Sequence, residues 1–272
     1  MAEGIGACDV RNHEAFRPIL RYAGLASGSL MAHSVLSHGL WVSFSTYGTI
    51  APDVARRLIA AGRASEAYDI LRASMTREAQ TSFQAFNSKM DEVYEDCLNQ
   101  MGKLDELKAH LWTRFKDSLS ARALRDYLKL LPDFDDVEAE ETALDVVEAY
   151  PRLAATISFL VEWPALERAA RVVLARRGEL DGDGYTTLTT AAEALDARYP
   201  LAATLLRRAM IEDTLNGAKS TRYRHAVRHL AECQASDQAI TDFGAVLTHQ
   251  EFVAALREKH ARNYGFWSLV DG

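Results

Sequence analysis

The sequence predicts an all-α protein, a solenoid of stacked antiparallel helix pairs. Three observations predict it. The 272 residues are rich in Leu, Ala, Arg and Glu, with only 15 Gly and 6 Pro, a composition that favours helix almost everywhere. Apolar residues recur at spacings of three and four, whereas no β-branched run alternates and no Asn-Gly turn joins apolar runs. Helix–turn–helix devices also recur at similar intervals. One such pair cannot bury its apolar face alone, so neighbouring pairs stack into a continuous core.

Residues 1–50 read as an N-terminal helical segment suited to oligomerisation or capping, and 51–272 as the helical-repeat domain. The first part predicts helices over His13–Gly24 and Ser29–Phe44, followed by a loop at Ser45–Thr49. Pro52 suits the first turn of a new helix, which Gly62 ends as a C-cap. Ser65 is the N-cap expected for the next. Gly62-Arg63-Ala-Ser-Glu66 is echoed by Gly102-Lys103-Leu-Asp-Glu106, 40 residues on, within the repeat periods of helical solenoids.

Further helices are expected over Leu104–Lys116, Ser120–Leu131, Val137–Tyr150, Leu153–Trp163 and Ala165–Arg177. Tyr150-Pro-Arg-Leu-Ala-Ala-Thr156 echoes Tyr199-Pro-Leu-Ala-Ala-Thr204. The pair spanning Tyr185 to Met210 has alanines, Ala202 and Ala203, where helices must approach closely. Arg222–Cys233 and Thr248–Tyr264 follow, then the aromatic tail Phe266-Trp267.

These segments resemble known sequences. The Gly62 and Gly102 turns resemble tetratricopeptide-type repeats. From about Leu119 to Val270 the chain is similar to an uncharacterised bacterial family of unknown function with tetratricopeptide-like helical repeats. The resemblance is carried by Leu128-Lys-Leu-Leu-Pro132-Asp-Phe-Asp-Asp136, Trp163-Pro-Ala-Leu-Glu-Arg-Ala-Ala170, Leu180-Asp-Gly-Asp-Gly-Tyr185, Arg222-Tyr-Arg-His-Ala-Val-Arg-His-Leu230 and Gly265-Phe-Trp-Ser-Leu269. The tail also resembles the end of bacterial proteins that carry a SWIM-type zinc finger, whose cysteine and histidine pattern is absent here. The resemblance implies antiparallel helix pairs stacked as a tetratricopeptide-like α-solenoid, and it implies no activity.

Composition narrows the function classes. A net charge of −7 is unlike the basic footprint of a nucleic-acid binder. Cys8, Cys97 and Cys233 lack paired spacing, which suits a reducing cytoplasm. No signal peptide is expected, since Met1–His13 has no basic stretch leading into an apolar run. The uncharged stretch Tyr22–Pro52 is broken by His33, Ser34, Ser37, His38 and Gly39. Its apolar run falls short of the roughly 20 residues a membrane span needs. A buried helix, or one forming a homo-oligomer through residues 22–52, is expected instead.

The most chemistry-bearing helix is Arg222–Cys233. His225, His229 and Cys233 stand at i, i+4 and i+8, three potential zinc ligands on one stripe. A helical wheel with Tyr223, Ala226, Val227, Leu230 and Ala231 towards the core puts both histidines opposite and Cys233 on the flank. The plainer reading is a polar binding face of Arg222, Arg224, His225, Arg228 and His229.

An acidic run, Asp133 to Glu148, has no Lys or Arg. It reads as a solvated start of a helix, or as the acidic end of a bipolar surface opposite the basic window Arg198–Arg228. Asp181-Gly-Asp183-Gly184-Tyr185 superficially resembles a calcium loop. Thr190 stands where the bidentate Glu is required, so a turn starting a helix is expected. Of Trp41, Trp112, Trp163 and Trp267, the last is the expected docking cap and a candidate binding residue. The expected function is a protein-interaction module or scaffold for another protein or peptide, without cofactor, nucleic acid or membrane. The alternative is a zinc hydrolase-like enzyme using His225 and His229.

Overall fold

The structure is a computed structural model that describes residues 42–80 and 88–272. Thirteen α-helices and two short 3₁₀ turns account for most of the described residues, with no strand among them. The chain divides into two compact units, residues 1–110 and 111–272. The expectations for Cys8, His13–Gly24, His33, His38 and Trp41 fall outside the described residues.

In the first unit, α1 (Val42–Ala60), α2 (Ala64–Gln80) and α3 (Ser88–Gln100) pack together, with the start of α4 (Leu104–Ser118). Ala55, Leu58, Ala67, Leu71, Cys97 and Leu98 are fully buried between them. The expected loop at 45–49 is instead part of α1, and Pro52 lies inside that helix rather than at its start. Pro52 withholds only the N–H that would reach residue 48. The division expected at residue 50 therefore falls within one helix.

The two glycine turns are equivalent. Gly62 and Gly102 have φ of +74° and +67°, and a Cβ on either would meet nothing. The glycines are needed for backbone conformation, not for space. In each turn the next residue donates its N–H back into the first helix, Arg63 to Leu58 O and Lys103 to Leu98 O, satisfying carbonyls the helix leaves open. The basic residue then pairs with the Glu three positions on, Arg63 with Glu66 at 2.5 Å and Lys103 with Glu106 at 3.4 Å. Glu106 also accepts from the phenols of Tyr68 and Tyr94, each at 2.7 Å.

The second unit holds the end of α4, α5 (Ala121–Leu128), α6 (Asp135–Glu148), α7 (Leu153–Glu162), α8 (Leu166–Ala175), α9 (Tyr185–Leu195), α10 (Pro200–Asn216), α11 (Tyr223–Asp237), α12 (His249–Lys259) and α13 (Tyr264–Asp271). Sequential helices pair: α7 with α8, α9 with α10, α10 with α11. Ala202 and Ala203 are buried, beside Leu206, Met210 and Ile211 on the same helix. Both Tyr-Pro turns start helices, but Pro200 is the first residue of α10, whereas Pro151 precedes Arg152, the N-cap of α7.

The expected helix Thr248–Tyr264 ends early, at Lys259, and the aromatic tail forms a separate helix from Tyr264. Thr248 and Glu251 form a capping box at the start of α12, and the chain breaks at His260 before α13. Trp267 docks in the core as expected, packed against Phe266, and its indole N–H donates to His260 O at 2.9 Å.

The acidic run does not pair with the basic window 198–228. Its carboxylates Glu141, Asp145 and Glu148 surround Arg168 of α8 at 2.5, 2.8 and 2.7 Å, and Glu140 accepts from the Trp163 indole. The run thus fastens α6 to α8 and the α7–α8 turn, while Asp133, Asp135, Asp136 and Glu138 stay exposed. The Asp181–Gly184 segment is a turn, as expected. Gly182 is pressed against α10, where a Cβ would stand 2.1 Å from Ala209 O.

Candidate functional site

The candidate site gathers where α9, α10 and α11 meet. Its centre is His229, only 2 % exposed. The wheel drawn from sequence is therefore wrong by part of a turn. The buried stripe of α11 is Tyr223, Ala226, His229, Leu230, Cys233 and Ser236, while Ala231 is exposed. The reason is polar: His229 finds partners for both ring nitrogens, so its burial leaves nothing unsatisfied.

Tyr185, the first residue of α9, donates its phenol O–H to His229 Nε2 at 2.9 Å. His229 Nδ1 lies 2.9 Å from Glu232 Oε2. A carboxylate only accepts, so the proton sits on Nδ1 and Nε2 accepts from the tyrosine. Burial pushes the His229 pKa down, against the opposing pull of Glu232, which keeps the ring neutral.

The chain of contacts continues inward. Glu232 Oε2 is 3.1 Å from Arg207 Nε, and Arg207 Nη1 donates to Asp196 Oδ1 at 2.6 Å. Ser236 Oγ–H donates to the same Asp196 oxygen at 3.0 Å. Arg207 is 4 % exposed. Burial works against its charge, but Asp196 and Glu232 more than offset this and leave its pKa raised. The hydrogen bond from Arg207 holds the Asp196 carboxyl below its ordinary range. Six polar side chains, from the two ends of α9, from α10 and from α11, thus form one connected network, in which Arg207 Nε meets Glu232 as an ion pair without a hydrogen bond.

Outside this network α11 presents a cationic edge. Arg224, His225 and Arg228 are exposed. The His225 ring meets Tyr185 edge-on at 5.8 Å, and Arg228 Nη2 is 3.5 Å from the phenol oxygen. Arg222 lies 6.0 Å from the Tyr185 ring centroid and pairs with Asp183 at 2.8 Å. Asp183 is held also by Lys219 at 2.8 Å, so the calcium-like turn binds its own cations.

Of the residues expected at the site, Arg222, Arg224, His225 and Arg228 share this edge. His229 lies beneath it in the core, and Trp267 belongs to the core around α13. The stripe of three metal ligands is not assembled. Cys233 is fully buried against Thr204 O, and burial pushes its thiol up to about 12. Both His229 nitrogens are engaged, and among the described residues no three His, Cys, Asp or Glu gather as a metal set.

Tyr185, Asp196, Arg207, Glu232 and Ser236 were missed from the sequence. Glu232 carried a local signal, since it stands three residues after His229. Tyr185 and Asp196 carried none, being brought in only by the packing of α9.

The fold and site define an all-α protein of paired helices, polar at one three-helix junction. The chain belongs to a family of unknown function (DUF6880), whose model matches residues 43–269. No curated protein and no solved structure matches it. Among the described residues no helix is long and apolar enough to cross a membrane.

Proposed function

We propose that the chain is a helical-repeat interaction module that docks an acidic protein or peptide on the cationic edge of α11. The observation that carries this reading is the placement of Arg224, His225 and Arg228. All three are exposed on one helix, alongside the Tyr185–His229–Glu232–Arg207–Asp196 network, which Arg228 reaches at Glu232 at 3.6 Å. A helix held in place lowers the ordering cost of binding, and clustered surface cations steer acidic partners and set register. Reversing Arg224 and Arg228 to Glu tests it. The doubly reversed protein keeps its helical content and loses its partner, and binding to the wild type weakens steeply with salt.

Residues 22–52 are proposed as a homo-oligomer contact, which light scattering tests: a compact monomer removes it. A bacterial, reducing cytoplasm is the proposed setting, in keeping with the free, buried thiols of Cys97 and Cys233. The zinc-hydrolase reading has less support, because one of its two histidines, His229, already has both nitrogens bonded. Stoichiometric zinc that is lost in His229→Ala would revive it.

A further inference from the structure

Two neighbouring arginines on α10 are treated oppositely by the fold. Arg207 has two carboxylates within ion-pair distance, although its Nε, like that of Arg208, makes no hydrogen bond. Arg208 is equally buried, at 5 % exposure, yet no ion pair reaches it among the described residues. Its Nη1 donates to Leu247 O at 2.7 Å, and the guanidinium lies 4.4 Å from the Phe252 ring centroid. Nε and Nη2 are buried without a partner.

Those two nitrogens are the side-on edge of the guanidinium, where two N–H groups run parallel and match the two oxygens of a carboxylate or phosphate. Nη1, on the far side, is already anchored. His249, two residues past the Leu247 whose carbonyl holds Nη1, also has its Nδ1 buried without a partner. Burial, above all, lowers the affinity of His249 for a proton, and the positive charge of Arg208 lowers it further. The nearby carboxylate Asp237 has one oxygen taken by the His249 backbone N–H at 3.0 Å. The connection that supplies Leu247 O, residues 238–248, has no helix, and Leu247 itself is exposed. A buried cation with an open fork is costly unless something fills it.

We propose that the Nε/Nη2 edge of Arg208 is the binding site of a small oxyanion bearing a carboxylate or phosphate group. The guanidinium fork takes two of its oxygens. The site is separate from the α11 edge and stands or falls independently of it.

The test is thermal unfolding of the full chain titrated at constant ionic strength with acetate, with phosphate, or with chloride alone. The Nε–H resonance of Arg208 is followed by NMR in parallel. Acetate or phosphate raises the midpoint saturably and shifts that resonance, chloride does neither, and the better of the two names the group. Arg208→Lys keeps the charge but removes the fork, and weakens saturation by roughly tenfold or more. If that variant does not fold, the resonance of the wild-type Arg208 decides alone. No saturable response in the wild type, or an equal response in a folded Arg208→Lys, would overturn the assignment.

Discussion

His229 shows how a residue with the look of a ligand becomes part of a core. Its two nitrogens are spent on Tyr185 and Glu232, and the carboxylate it touches also serves Arg207. The weight of that network rests on Arg207, the buried charge. Asp196→Ala removes the short bond to Arg207 Nη1 and leaves a buried donor open, which costs ~1–3 kcal/mol. Urea unfolding of the variant measures it, and a loss within a few tenths of wild type would mean the network does not bear on stability. From sequence, the types and spacing on α11 were legible, but not the direction in which the helix faces. The apolar wheel counted Ala231 as inward and His229 as outward. A histidine buries readily once both nitrogens are paired, and its partner Tyr185 is 44 positions away.

At the scale of elements, what was legible is what is local. The Gly62 and Gly102 turns could be read because a helix C-cap needs a residue at positive φ and glycine takes it freely. Gly62→Ala and Gly102→Ala each cost ~1–2 kcal/mol through φ alone, since a Cβ there meets no neighbour. Gly182→Ala fails for the opposite reason, because its Cβ collides with the Ala209 carbonyl. Ala203 is fully buried, and Ala203→Leu overpacks the site by ~1–3 kcal/mol. Near-unchanged thermal unfolding of that variant would show that α10 has a looser crossing than its alanines imply. The acidic run on α6 was not legible in this way. Its partner, Arg168, sits in an ordinary helical stretch, and only the packing of α6 on the α7–α8 pair joins them.

For the whole molecule, helical composition and turn chemistry were enough to read an all-α fold of paired helices, because every local preference points the same way. The site was less legible, since its parts come from three helices. One global property follows from the histidines. Burial, chiefly, lowers the pKa of His229, His249 and His260. The unfolded chain takes up those protons near about pH 6.5, while the folded chain resists them. Stability is therefore fullest above about pH 6.5 and declines as the pH falls through that value. Urea unfolding at pH 7.5 and 5.5 reads this directly, and His229→Phe flattens the difference.

The proposed docking of an acidic partner on the exposed edge of α11 is a property of the whole folded chain. Its most direct measurement is quantitative copurification from the native host, comparing wild type with Arg224→Glu/Arg228→Glu at matched folded concentration. A stoichiometric, acidic, salt-sensitive partner is expected with the wild type and is lost from the charge-reversed protein. Equal recovery of the same partner by both proteins, or no partner with the wild type, would contradict it.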